Sequence, residues 1–204
     1  MNRPGRAGSD WSRLYRETEI EDKPGFLRQV FSPWLGHLSD DAAWFVWHAS
    51  RTYPLFAAAL EELGILVHQQ IIWIKPAPTF GYVKYRYRHE PCIFGWPKGH
   101  RPYYARGWFK GNHTSVWEAD WDGKARPSKK MHPTEKPTAV FALPIKNHTK
   151  RGAVCAEPFA GSGSQYVAAE ELGRAVYGME IVPEFVAAVL ERLAMIGLKP
   201  RLVS

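Results

Sequence analysis

Apolar positions change their spacing several times along the chain, and each change marks an element. Phe26, Leu27, Val30, Phe31 and Leu35 recur at three- and four-residue steps, which predicts a helix ending near Gly36. Ala42 to His48 is a continuous apolar run of strand length, the pattern of a parallel strand buried on both faces. Leu55, Phe56, Ala59, Leu60 and Leu63 share one face of a second helix, stopped by Gly64. Ile65 to Lys75 is rich in β-branched residues and ends at Pro76 and Pro78, so it reads as a strand. Glu90 to Trp96 reads as a shorter strand paired with it. Pro137 to Asn147 predicts a helix that Pro144 kinks or shortens by removing an N–H.

After Asn147 the pattern becomes strand (153–158), helix (164 to Leu172, closed by Gly173) and strand (174–180). A last helix opens at Pro183, presents Val186, Val189, Leu190 and Leu193, and ends at Gly197. There is no internal repeat. Alternating strands and helices point to a three-layer α/β sheet. Residues 1–24 are polar and without period, a loosely ordered lead-in to a single domain over 25–204. Residues 97–131 also lack period, and a loop of that length in a compact domain is usually functional or disordered.

Composition narrows the class. A chain of 204 residues with 45% hydrophobic content is long enough to bury one core. No apolar run is long enough for a bilayer and the N-terminus lacks a secretion signal, so a cytoplasmic protein without a membrane partner is expected. Cys92 and Cys155 fall inside predicted strands and read as buried free thiols. The eight His residues form no ligand-spaced cluster with Cys or acids, which argues against a metal.

The net charge of +7 is concentrated: residues 84–130 hold eleven Lys or Arg against four acids. Aromatic residues interleave them, among them Tyr85, Tyr87, Trp96, Trp108 and Trp117. Cations draw in phosphates and aromatic faces stack on unpaired bases, so DNA or another nucleic acid is a natural partner.

The block from 152 to 180 carries the candidate chemistry. In Pro158-Phe159-Ala160-Gly161-Ser162-Gly163-Ser164, two glycines remove Cβ atoms where a ligand approaches backbone, and the next helix directs its unpaired N–H groups there. Glu180 ends the following strand nineteen residues after Gly161, the separation at which a carboxylate reaches ribose hydroxyls. The pattern reads as a nucleoside site.

The string from Val154 to Glu184, preceded by His132-Pro133-Thr134-Glu135-Lys136-Pro137, resembles the amino-methyltransferases of DNA. The resemblance covers roughly residues 21–196. The cofactor block follows the target-base half, as in the circularly permuted branch of that family. It implies a Rossmann-like S-adenosylmethionine-dependent methyltransferase fold and methyl transfer to an exocyclic amino nitrogen, N6 of adenine ahead of N4 of cytosine. It also implies a place in DNA methylation and restriction–modification. On the cofactor side it implies Glu157 (where the family normally has Asp), Phe159, Gly161, Gly163 and Glu180, with Thr134 and Lys136 near the methionine end. On the base side it implies Trp47 and His48 at a strand end facing the crevice, then Trp73, Lys75, Tyr87, His89 and Glu90. Trp108 to Trp117 resembles a short target-recognition stretch.

The family localises the amino lone pair with an Asp-Pro-Pro-Tyr tetrapeptide, or its Ser or Asn version, at the end of a central strand. The chain contains no such string; Ser32-Pro33-Trp34 and Glu157-Pro158-Phe159 come nearest. The expectation is therefore an N-terminally truncated member missing a central strand, with a separate or upstream segment supplying it. Two other classes stay open: a non-catalytic nucleic-acid-binding module, and a methyltransferase acting on RNA or protein.

Overall fold

The structure, a computed structural model, describes residues 22–78, 84–105, 113–120 and 135–201. The lead-in up to residue 21, His132, Thr134 and about half of the 97–131 loop, including Trp108, lie outside the described residues. Helix α1 (Lys23–Leu35) starts at Asp22, whose carboxylate accepts the Gly25 N–H at 2.9 Å. Strand β1 (Trp44–Trp47), helix α2 (Tyr53–Glu62), strand β2 (Ile65–Ile74) and strand β3 (His89–Pro97) follow. Then come β4 (Val116–Glu118), α3 (Thr138–His148), β5 (Val154–Glu157), α4 (Ser164–Glu171), β6 (Ala175–Gly178) and α5 (Pro183–Met195).

The described strands fall into two sheets. One has the order β1-β3-β2-β4; the other is the parallel pair β5-β6. Within them β1 and β5 each have one ladder partner. Leu27 and Phe31 of α1 pack with Ala59 and Leu60 of α2 against Trp44, Ile65 and Ile93 on one face of the larger sheet. Phe45, Trp47, Phe94 and Trp117 form an aromatic layer on the other face, with His148 of α3 tilted against Phe45 and Phe94.

Four expectations need correcting. Strand β1 runs antiparallel to β3, with Trp44 opposite Gly95 and Trp47 opposite Cys92, where a parallel strand was expected. The loop expected over 97–131 contains β4, which runs parallel to β2 over three residues. Helix α5 buries Phe185, Ala188, Val189 and Arg192, whereas Val186 and Leu190 of the expected face are exposed. Cys92 is fully buried, but Cys155 is only half-buried. Pro144 lies inside α3, which continues past it to His148. No helix among the described residues is long and apolar enough to cross a membrane, and no described group of three or more His, Cys, Asp or Glu could hold a metal ion.

Candidate functional site

The glycine turn joins β5 to α4, as its composition requires. Gly161 and Gly163 both have positive φ (53° and 73°), and a Cβ at Gly163 would lie 2.7 Å from Val189 Cγ2 of α5. The site therefore needs glycine at 163 for its backbone angle and for its space. Glu180, just past β6, accepts the Gly161 N–H at 2.7 Å through one oxygen and the Val182 N–H at 2.9 Å through the other. Those two bonds fix the carboxylate beside the turn and leave lone pairs for hydroxyl donors.

Glu157 ends β5 and accepts the Phe159 N–H at 2.8 Å. Burial pushes its pKa above the ordinary value; the Phe159 N–H and Lys136 oppose this, and neighbouring Glu180 adds to it. Phe159 leaves 52% of its surface exposed, with its ring edge-on to Phe31 at 6.4 Å. Two carboxylates and an open ring beside a glycine turn suit a cationic nucleoside.

Lys136 is where the glycine turn meets the other half of the molecule. Its carbonyl accepts from Ser164 Oγ at 2.7 Å, and its ammonium lies 2.9 Å from Glu90 Oε2 and 5.2 Å from the Trp47 ring centroid. The other Glu90 oxygen is 3.0 Å from Lys75 Nζ at the end of β2. Burial alone would raise the Glu90 pKa, yet Lys136 and Lys75 together hold it below its usual value. The expected residues Lys75, Glu90, Lys136 and Trp47 thus converge.

The remaining expected residues are more scattered. Trp73 is 1% exposed and donates its Nε1–H to the Ala119 carbonyl at 3.1 Å, so its ring is core. His48 points to the face opposite Trp47, between Tyr53 and Phe56 of the α2 layer. Its Nδ1 donates to the Ala49 carbonyl at 3.0 Å, and burial lowers its pKa. Successive strand residues alternate faces, so Trp47 and His48 do not share the crevice. His89 places Nε2 3.4 Å from Ser50 Oγ, and Tyr87 stands half-exposed with its ring 6.0 Å from that of His89.

One group escaped the sequence reading. Arg192 of α5 is buried, and its Nη1 donates to Glu135 Oε1 (3.0 Å), the Ser162 carbonyl (2.9 Å) and Ser164 Oγ (3.1 Å). It ties the last helix, the glycine turn and the segment before α3 together. Its signal was present in the spacing: Phe185, Val189 and Arg192 stand at i, i+4 and i+7, a cation at a core position.

A family model described as DNA methylase, of the N6 and N4 methyltransferases, matches residues 11–191. The chain is 28% identical over 195 residues to the Type II methyltransferase M2.DpnII of Streptococcus pneumoniae, covering 90% of this chain and 71% of that protein. It resembles the crystal structure of the M1.HpyAVI–SAM complex with a TM-score of 0.67 and 21% identity, over 83% of this chain and 81% of that one. The PvuII DNA methyltransferase, titled cytosine-N4-specific, gives a TM-score of 0.70 at 14% identity, over 93% and 77%. At those identities the solved structures establish the Rossmann-like methyltransferase fold. The family match spans both sheets and the glycine turn, and the chain belongs to the amino-methyltransferases of DNA.

Proposed function

We propose that the chain binds S-adenosylmethionine at the β5–β6 pocket and serves methyl transfer to an exocyclic amino nitrogen of DNA, adenine N6 ahead of cytosine N4. The observation that carries this reading is the Glu180 carboxylate, fixed at 2.7 Å from the Gly161 N–H at the mouth of the glycine turn. Such a placement suits a ribose. When bound, the cofactor supplies an electrophilic methyl group on a sulfonium. Phe159 offers an apolar face, Glu157 a carboxylate for the amino acid's ammonium, and Lys136 a cation for its carboxylate. The resemblance implies Thr134 at the same end. A cytoplasmic location is in keeping with DNA as the substrate.

The reaction also needs acceptors that localise the amino lone pair, and the 204 residues contain no Asp-Pro-Pro-Tyr string or its variants. The β1 and β5 edges, each with one described partner, suit a strand carrying that tetrapeptide. We infer that a separate or upstream segment supplies it. Radiolabelled methyl transfer to DNA, followed by nucleoside mass spectrometry, tests this. The chain alone should bind cofactor and leave DNA unmethylated, and a longer product carrying the strand should yield N6-methyladenine. Robust methylation by the chain alone would remove the second segment from the reading. N4-methylcytosine would reverse the acceptor, and failure to bind cofactor would sink the whole.

Proton linkage supplies a separate check. A cation beside Glu157 favours its ionised form, so binding releases a proton. Cofactor affinity should rise with pH through the raised Glu157 pKa and then level off. Without ligand the sign reverses: a raised folded pKa stabilises below the unfolded value and loses that contribution as pH rises. Glu157→Gln should therefore be the more stable protein at neutral pH, bind cofactor several-fold more weakly, and show a flat profile by titration calorimetry.

A further inference from the structure

Two of the base-side aromatic residues that the resemblance implies, Trp47 and Trp73, are not free to stack. Trp73 is sealed in the core, and Trp47 lies beneath the Lys136 ammonium with Trp73, Trp117 and Phe141 edge-on around it. The open rings stand next door. In Lys84-Tyr85-Arg86-Tyr87-Arg88, which leads into β3, every residue is exposed; Tyr85 shows 91% of its surface and Tyr87 49%.

The strip is anchored to the candidate site. Lys75 N–H donates to the Arg88 carbonyl at 2.8 Å, and Arg88 Nε donates to the Lys75 carbonyl at 3.2 Å, one residue pair beyond the β2–β3 ladder. Lys75 is the residue that meets Glu90. Three cations and two tyrosines in five residues, with no acid among them, therefore sit beside the Lys75–Glu90 pair.

Exposed tyrosine rings gain nothing from the core, and alternation with cations suits a ligand that is both anionic and aromatic. We propose that Tyr85 and Tyr87 are stacking residues for unpaired DNA bases beside that pair, with Arg86 neutralising an adjacent phosphate. This rests on DNA being the substrate, as inferred above. A stacked base is sequence-tolerant, since every base has a π-face, so the strip gives affinity for an opened strand without fixing the sequence read.

The test uses the full chain and a short mixed-sequence DNA, as single strand and as duplex, with 2-aminopurine as fluorescent base. Wild type should bind the single strand more tightly and quench its fluorescence. Tyr85→Ala and Tyr87→Ala should each lose about tenfold in single-strand affinity with unchanged melting temperature and cofactor binding, while the Phe variants keep it. Arg86→Ala should lower the salt slope by about one phosphate's share instead. If wild type binds DNA but the Ala variants match it in affinity and quenching, the stacking assignment is wrong while the substrate reading stands. If wild type binds no DNA, the substrate reading fails first.

Discussion

Arg192→Ala should unfold at a much lower urea concentration than wild type, with a loss of about 3–5 kcal/mol. The substitution removes three hydrogen bonds donated by one buried nitrogen. It also leaves the Glu135 carboxyl, whose side chain is 6% exposed, without its buried arginine partner. Breaking such a pair from one side is far more damaging than replacing both members, because the remaining charge stays desolvated. Removing both charges in Arg192→Met with Glu135→Leu should therefore restore part of the loss. Recovery is partial because the Ser162 carbonyl and Ser164 hydroxyl still lack their donor. Urea midpoints at constant slope measure the series. A single-variant loss below about 1 kcal/mol, the range of an exposed pair, would show that water reaches the pair.

Gly163→Ala should damage cofactor binding and stability together. A side chain at φ 73° is strained by about 1–2 kcal/mol, and its Cβ would press on Val189 Cγ2 at 2.7 Å. Overpacking of that kind typically adds about 1–3 kcal/mol. Relief requires the turn to move away from α5, which carries Gly161 and its bond to Glu180 out of place. The added Val189→Ala change opens the space without altering φ, so the double variant should regain the packing share and keep the strain. Melting temperature with and without cofactor, beside calorimetric affinity, separates the two. Wild-type affinity in Gly163→Ala would mean that the turn is not part of the pocket.

The parts of the fold that were legible in sequence are those set by local chemistry. The β5–α4–β6 unit follows from two glycines, a helix and a carboxylate within thirty residues, and Gly161 indeed bonds Glu180. Helices α1 and α2 follow from three- and four-residue spacing with glycine stops. The direction of β1 was not legible, because its partner Gly95 lies far along the chain and an apolar run says nothing about which way a neighbour points. Strand β4 has too few residues to show a period. The meeting of Lys75, Glu90 and Lys136 is likewise set by tertiary packing across three segments. His48 is different: alternation along a strand was available to separate it from Trp47, and the apolar run concealed it. Arg192 was hidden for a similar reason, since a charge on an apolar stripe reads as solvent-facing until its partners are known.

The two described sheets share no backbone ladder. Lys136 meets Glu90, Phe141 meets Trp47, and Phe31 meets Phe159 where the halves adjoin. A ladder is insensitive to ionic conditions, whereas a joint of this kind responds to them. Protonating Glu90, whose pKa is depressed by its two lysines, leaves a pair of cations facing each other across the seam. Because that pKa lies below the ordinary carboxylate range, mild acid should leave the seam intact and only stronger acid should loosen it, so that the stiffness of the joint between the halves is set by charge.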